Sequence, residues 1–312
     1  MAIQIQRIVY FAQSGTITTP AGNTYVFPVS SASCEETRPI EAINSFGHFG
    51  SLNTAQTNLT TCKSTLKCYL GSGSGIGGGA SPNGIDAAAL LDLVTATKAS
   101  SGIVINVAPG GFTMTGIMTN IGVDISMGGF GMADFGFAGI GKPVITPPNT
   151  TYAADPNSTM SISPITTMSI GRGNGTALSG TYATSIKFAL DLPTDTLGAL
   201  GDNPNAFQGS TQLISQMATK PPYKATVSVE GHGVDPTILD TSIAGLAYVI
   251  GNIGITLPNA KVNARGFNNA AGQVSASFSY SAEDTSATFS AQALAPYSAN
   301  PANQTTPPAW GA

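Results

Sequence analysis

Charge is scarce in this sequence. Twelve Lys and Arg and sixteen Asp and Glu make up 9% of 312 residues, against roughly a quarter in an ordinary soluble domain. That excludes a highly charged solvated tail and a basic nucleic-acid clamp. With a formal net charge of −4, there are too few cations to displace the counterions of a phosphate backbone, so tight DNA binding is not expected. Histidine is limited to His48 and His232, and cysteine to Cys34, Cys62 and Cys68. Neither type falls at metal-ligand spacing, so no metal site is expected. An odd cysteine count and an N-terminus unlike a signal peptide lead to the expectation of reduced thiols in a cytoplasm. Long apolar runs are also missing. The most apolar stretch, Ile243 to Leu257, is interrupted by Asn252 and bounded by Pro258, short of the ~20 residues of a membrane span. No membrane partner is expected.

Chemistry-bearing constellations are equally thin. Glu35-Glu36 and Glu283-Asp284 are adjacent pairs, which on a strand point to opposite faces and cannot cooperate across one bond. A nucleophile built from one of the cysteines and a histidine has no local signature. Gly73-x-Gly75-x-x-Gly78 matches a dinucleotide fingerprint as a string, but Pro82 and the distance to the next helix deny the pyrophosphate a helix N-terminus. Gly136 to Lys142 opens like a P-loop, yet Pro143 stands where the magnesium-binding hydroxyl is needed. Asn-x-Ser/Thr strings, as at Asn58, follow from composition and imply no glycan without secretion. The sequence therefore argues against an enzyme and against any bound cofactor.

What the chain has in quantity is glycine, with 37 residues, small hydroxyl and amide side chains, and 42% hydrophobic residues. Such a composition describes a folded chain whose surface is uncharged or covered by partners, because low charge leaves copies little mutual repulsion. The pattern is mainly β. Val123 to Met127, a Gly128-Gly129 turn and Met132 to Phe137 alternate as a hairpin. Val274, Ala276, Phe278 and Tyr280 alternate with serines, giving one packed face and one wet or neighbour-facing face. Asp86 is placed to cap a helix over Ala87 to Thr97, with Leu90, Leu91 and Val94 as its apolar stripe. About one short helix is expected per half.

Length favours about two domains at roughly 150 residues each. The halves on either side of Pro156 share an order of features. Ile40-Glu41-Ala42-Ile43 corresponds to Leu197-Gly198-Ala199-Leu200, Phe49-Gly50-Ser51 to Phe207-Gln208-Gly209-Ser210, and strand Ser64 to Leu70 to strand Lys224 to Glu230. Gly84-Ile85-Asp86 then corresponds to Gly233-Val234-Asp235, and a hairpin near Gly122 to Gly139 to one near Lys261 to Ser281. This order suggests a tandem duplication; chance agreement in a β-rich chain is the alternative. The expected organisation is a first β domain over 1–146, a linker over 147–164, a second β domain over 165–295 and an extended Pro/Ala-rich tail over 296–312. Each domain is expected to be sandwich-like or barrel-like, with about one flanking helix (α+β, mainly β).

A polar strand leading into Arg38-Pro39-Ile40-Glu41-Ala42, a long polar loop, a strand, one short helix and a final wide hairpin resembles the tail tube proteins of tailed bacteriophages. Leu190-Asp191-Leu192-Pro193-Thr194-Asp195 through Leu200 looks like a second, degenerate copy of that opening. The resemblance is one of layout over most of both halves; the Gly-rich insert and the Pro/Ala-rich tail depart from it. It implies a structural virion protein that polymerises as stacked rings into a tube, assembled in the host cytoplasm, with DNA passing through the lumen during ejection. It also implies tube domains whose sheets join between neighbours, six domains per ring, and hence three chains per ring if both halves are tube domains or six if only one is. Other tail proteins (tip or baseplate, terminator, a sheath) and the tape-measure protein are the implied partners. Inter-ring contacts are expected on the long loops Asn44 to Thr61 and Leu200 to Pro222, through Phe46, His48, Phe49, Asn58, Phe207 and Gln208, and Asp124 and Asp134 are expected to face the lumen. A secreted or surface adhesin or matrix subunit, a capsid decoration protein and a tail-terminator ring are the alternatives.

Overall fold

The computed structural model describes residues 14–38, 40–44, 51–56, 60–69, 87–99, 102–108, 110–145, 168–172, 181–196, 217–233, 246–250, 253–268, 276–284 and 288–291. The expected linker, the tail and the Gly-rich stretch around Gly73 to Gly78 lie outside the described residues. Within them the chain is mainly β. The first part contains β1 (Ser14–Thr18), β2 (Thr24–Thr37), β3 (Ile40–Asn44), β4 (Ser51–Gln56), β5 (Thr61–Tyr69), α1 (Ala87–Lys98), β6 (Ile103–Ala108), β7 (Phe112–Ser126), β8 (Met132–Ile140) and β9 (Val144–Ile145). The second contains β10 (Met168–Arg172), β11 (Thr181–Asp191), β12 (Thr194–Thr196), β13 (Met217–Thr219), β14 (Lys224–Gly233), β15 (Leu246–Ile250), β16 (Ile253–Leu257), β17 (Lys261–Asn268), β18 (Ala276–Asp284) and β19 (Thr288–Ala291).

The expected hairpin is β7 and β8. It turns through Gly128, whose φ of 76° is one that a side chain resists. Before that turn, at Thr119, β7 carries an irregularity of greater consequence, because the strand is long enough to serve two structures. Its first half pairs with β6, from Thr113–Asn106 to Gly116–Ile103, and its second half with β11, from Asn120–Asp191 to Ser126–Ser185. Between them Thr119 is an extra residue against β8, since Met118 pairs with Phe137 and Asn120 with Gly136. This bulge reverses the strand's alternation. Phe112, Met114 and Met118 are buried before it, and Ile121, Val123 and Ile125 after it.

Through β6, six strands close on themselves in the order β7, β6, β1, β2, β5, β8 and back to β7. Ile17, Phe27, Leu66, Ile105, Met114, Phe135 and Phe137 are among the buried residues these strands contribute. Each large aliphatic or aromatic side chain so buried contributes about 1.5–3 kcal/mol relative to exposure. Through β11 the same sheet runs on to β14, β18 and β17. The stretches 1–146 and 165–295 thus share hydrogen-bonded strands, and one apolar cluster reaches from Ile17 through Val123 to Phe188, Val229 and Leu257. A four-stranded sheet, β10-β15-β16-β19, and the pairs β3–β4 and β12–β13 make up the rest of the β structure among the described residues.

The helix lies where its periodicity places it, but its buried face differs from the expected stripe. Ala89, Leu90, Leu93, Val94 and Ala96 are buried while Leu91 is 46% exposed. The spacing of 89, 90, 93, 94 and 96 follows one helical face, and Leu91 falls on the other side of it. Asp92 is the helix's polar anchor. Its Oδ2 accepts hydrogen bonds from Thr19 Oγ1 at 3.0 Å, Asn23 Nδ2 at 3.0 Å and Tyr25 OH at 2.9 Å, fastening α1 to the β1–β2 turn. The second expected helix, after Gly233, lies outside the described residues.

Eight strands form one continuous face in the order β2-β5-β8-β7-β11-β14-β18-β17. Numbered by chain order within each set of four, β2-β5-β8-β7 and β11-β14-β18-β17 both read first, second, fourth, third. The irregularities also coincide. Ser30 is an extra residue in β2 against β5, followed by seven pairs from Ser31–Lys67 to Thr37–Thr61. Thr184 is extra in β11 against β14, followed by seven pairs from Ser185–Glu230 to Asp191–Lys224. Asn263 in β17 against β18 stands where Thr119 stands in β7. A short strand pair follows the first strand of each set, β3–β4 in one and β12–β13 in the other.

Candidate assembly surface

Alternation on β2, β5, β8, β11, β14 and the second half of β7 sends apolar side chains to the core and mostly polar ones to the opposite face. On β5, Cys62, Ser64, Leu66 and Cys68 are buried, leaving Lys63, Thr65 and Lys67 outward. On β11, Ile186, Phe188 and Leu190 are buried, leaving Lys187 and Asp191 outward. Rows across the strands are therefore polar. One runs Ser33–Thr65–Gly136–Asn120–Asp191–Lys224. Ser33 and Thr65 hydroxyls in it are hydrogen-bonded at 2.6 Å. Gly136 leaves room for its neighbour: a Cβ there would collide with the side chains of Asn120 and Thr119.

Asp124 and Asp134 both lie on this outward face, and each is matched by a lysine on the adjoining strand. Asp124 Oδ2 is 3.8 Å from Lys187 Nζ, and Asp134 Oδ1 is 3.7 Å from Lys67 Nζ. Lys224 Nζ and Glu283 Oε1 are 2.9 Å apart farther along. Half-exposed pairs of this kind contribute at most about 1 kcal/mol. Their effect is on the field, because they leave the face close to neutral. The sequence singled out both aspartates but not the lysines, which arrive from strands distant in the chain.

Phe46, His48, Phe49, Asn58, Phe207 and Gln208 lie outside the described residues. His232 is exposed on β14, paired in register with Tyr182 and Ser277. The adjacent carboxylates divide between faces as alternation requires. Glu283 is outward with Lys224, while Asp284 is 5% exposed and accepts a 2.6 Å hydrogen bond from the Asn259 backbone N–H. Burial, reinforced by the carboxylate of Glu36, pushes the Cys34 thiol up to about 11. Burial first, and then the neighbouring Cys34, push Cys62 up to about 12, and burial raises Cys68 as well. Thiols so held stay protonated at neutral pH, the reverse of an activated nucleophile.

The sheet also has ends. Ser31 to Thr37 of β2 pair with β5 on one side, and no described strand pairs with them on the other. β17 pairs with β18 alone among the described strands. Near that edge Phe267 is 55% exposed. Sequence patterning does not single out Phe267 and treats Glu36 only as half of an adjacent carboxylate pair; the shared strand order is the signal that points to their edges.

No helix among the described residues is long and apolar enough to cross a membrane. No family model and no curated protein matches the chain.

Proposed function

We propose that this chain is a structural virion protein that polymerises as stacked rings into the tail tube of a bacteriophage and lines the channel through which DNA is ejected. The observation that carries this reading is the eight-strand face, built from two successive four-strand sets with one strand order and the same bulges. A unit that already repeats once within the chain closes into a ring when further copies add to it at one constant rotation. The resemblance implies six such sets per ring, so three chains close it.

The outward face suits a DNA channel. It presents Ser, Thr, Asn and Gly, and Lys67, Lys187 and Lys224 are each matched by a carboxylate, so it offers a polyanion little cationic track and no large apolar surface to adhere to. In this arrangement the face carrying Asp124 and Asp134 lines the lumen, and α1 lies outside it. Negative-stain microscopy of the concentrated full chain tests the reading. Hollow filaments or rings of uniform width are expected; a monodisperse monomer at high concentration contradicts it.

A further inference from the structure

The two four-strand sets correspond in strand order and in the position of their bulges, and β7 and β11 form the joint between them. In that joint the third strand of one set, β7, pairs antiparallel with the first strand of the next, β11, from Asn120–Asp191 through Ile121–Leu190 and Val123–Phe188 to Ser126–Ser185. The third strand of the second set, β17, and the first strand of the first set, β2, are the two whose corresponding edges have no described partner. Counting from the shared bulges, Ala264 to Asn268 match Asn120 to Asp124, and Ser31 to Thr37 match Ser185 to Asp191.

We propose that β17 of one copy pairs antiparallel with β2 of a second copy, in the register of the β7–β11 joint, from Ala264 opposite Thr37 to Asn268 opposite Ser33. The register was fixed by the internal repeat alone, and the side chains it brings together are complementary. Arg265 falls opposite Glu36, where the internal joint has Ile121 and Leu190. Phe267 falls opposite Cys34, where the internal joint has Val123 and Phe188. An aromatic ring now 55% exposed is thereby covered by a half-buried cysteine, and opposite charges meet across the new ladder. A slip of one residue puts Phe267 against Glu35 or Ser33, on the wrong face. The occupant of these edges is accordingly another copy of this chain, joined head to tail.

The inference rests on the self-assembly proposed above, and cysteine cross-linking tests it separately. Directly opposed antiparallel residues have Cα atoms about 4.5–5.5 Å apart, within the ~4.4–6.8 Å that a disulfide spans. The full-length Phe267→Cys variant, mildly oxidised and run without reductant, is expected to give covalent multimers in which peptide mapping finds residue 267 joined to native Cys34. Gly266→Cys, whose side chain falls on the other face, is expected to give no such link. The charge-reversed Arg265→Glu variant is expected to lose assembly and to regain it when combined with Glu36→Arg, which provides a readout independent of the cysteine. If rings or tubes form without the 34–267 link and without charge-swap rescue, the joint is wrong while the tube reading survives. If the wild-type chain remains monomeric at high concentration, both fail. A 34–267 link formed within one chain also overturns the joint.

Discussion

Thr119 and Asn263 hold the same place in two sets of strands with one order: each is the extra residue where the third strand of its set bulges against the fourth. In β7 the bulge separates the part of the strand that pairs with β6 from the part that pairs with β11.

Asp92 is expected to be the most sensitive exposed-side position of α1. Asp92→Ala removes the acceptor for Thr19, Asn23 and Tyr25, and leaving these donors without it is expected to cost about 2–3 kcal/mol. Tyr25→Phe removes one of the three and is expected to cost about 1 kcal/mol. Denaturant unfolding of both variants checks the ranking; equal stability of Asp92→Ala and wild type contradicts it.

Gly136→Ala is expected to destabilise by about 1–3 kcal/mol, because the added methyl meets the side chains of Asn120 and Thr119. Shortening the obstacle is expected to relieve it: Asn120→Ala in the Gly136→Ala background recovers part of the loss. A double-mutant cycle measures that coupling, and strict additivity contradicts the geometry.

Much of this arrangement was legible in the sequence, and the failures have physical causes. The β7–β8 hairpin, the β5 and β14 strands and the limits of α1 follow from local alternation, a Gly-Gly turn and a 3.6-residue period. The expected stripe of Leu90, Leu91 and Val94 departs from the buried face at Leu91, which is hydrophobic but exposed, because the face is set by Ala89, Leu90, Leu93 and Val94. The bulge at Thr119 was not legible, since it inverts the in-and-out pattern that identifies a strand. The pairing of β7 with β11 was not either, because strand partners far apart in the chain leave no local mark. For the same reason Asp124 and Asp134 could be singled out while Lys187 and Lys67, their counterparts, could not.

Thiol alkylation is expected to be slow at neutral pH and to accelerate as pH rises. Cys34, half-buried and with its pKa raised to about 11, is expected to react first, its rate climbing about tenfold per pH unit until pH nears 11, since the thiolate is the nucleophile. Cys62, raised to about 12 and buried, is expected to lag, with Cys68 slower still. Mass spectrometry after timed alkylation orders the three. Rapid labelling of Cys68 in the folded protein contradicts the buried placement.

Ser64 Oγ and Thr97 Oγ1 are buried without a hydrogen-bond partner among the described residues. The position matching Ser64 in the second set is Val227, which has no such group to satisfy. Ser64→Ala and Thr97→Val are each expected to be neutral or to stabilise by up to about 1 kcal/mol. A clear fall in melting temperature for both variants contradicts the assignment.

The central claim is that copies of this chain continue their own repeated sheet into a ring that opens onto a channel. Cryo-electron microscopy of the assembled full-length protein measures it most directly. Rings of three chains with true threefold and approximate sixfold symmetry are expected, with β17 of each chain against β2 of the next and the face bearing Asp124, Asp134 and Lys187 turned to the lumen. Strict sixfold rings with the second half of each chain outside the wall, or a ring whose lumen is lined by α1 instead of that polar face, would contradict it.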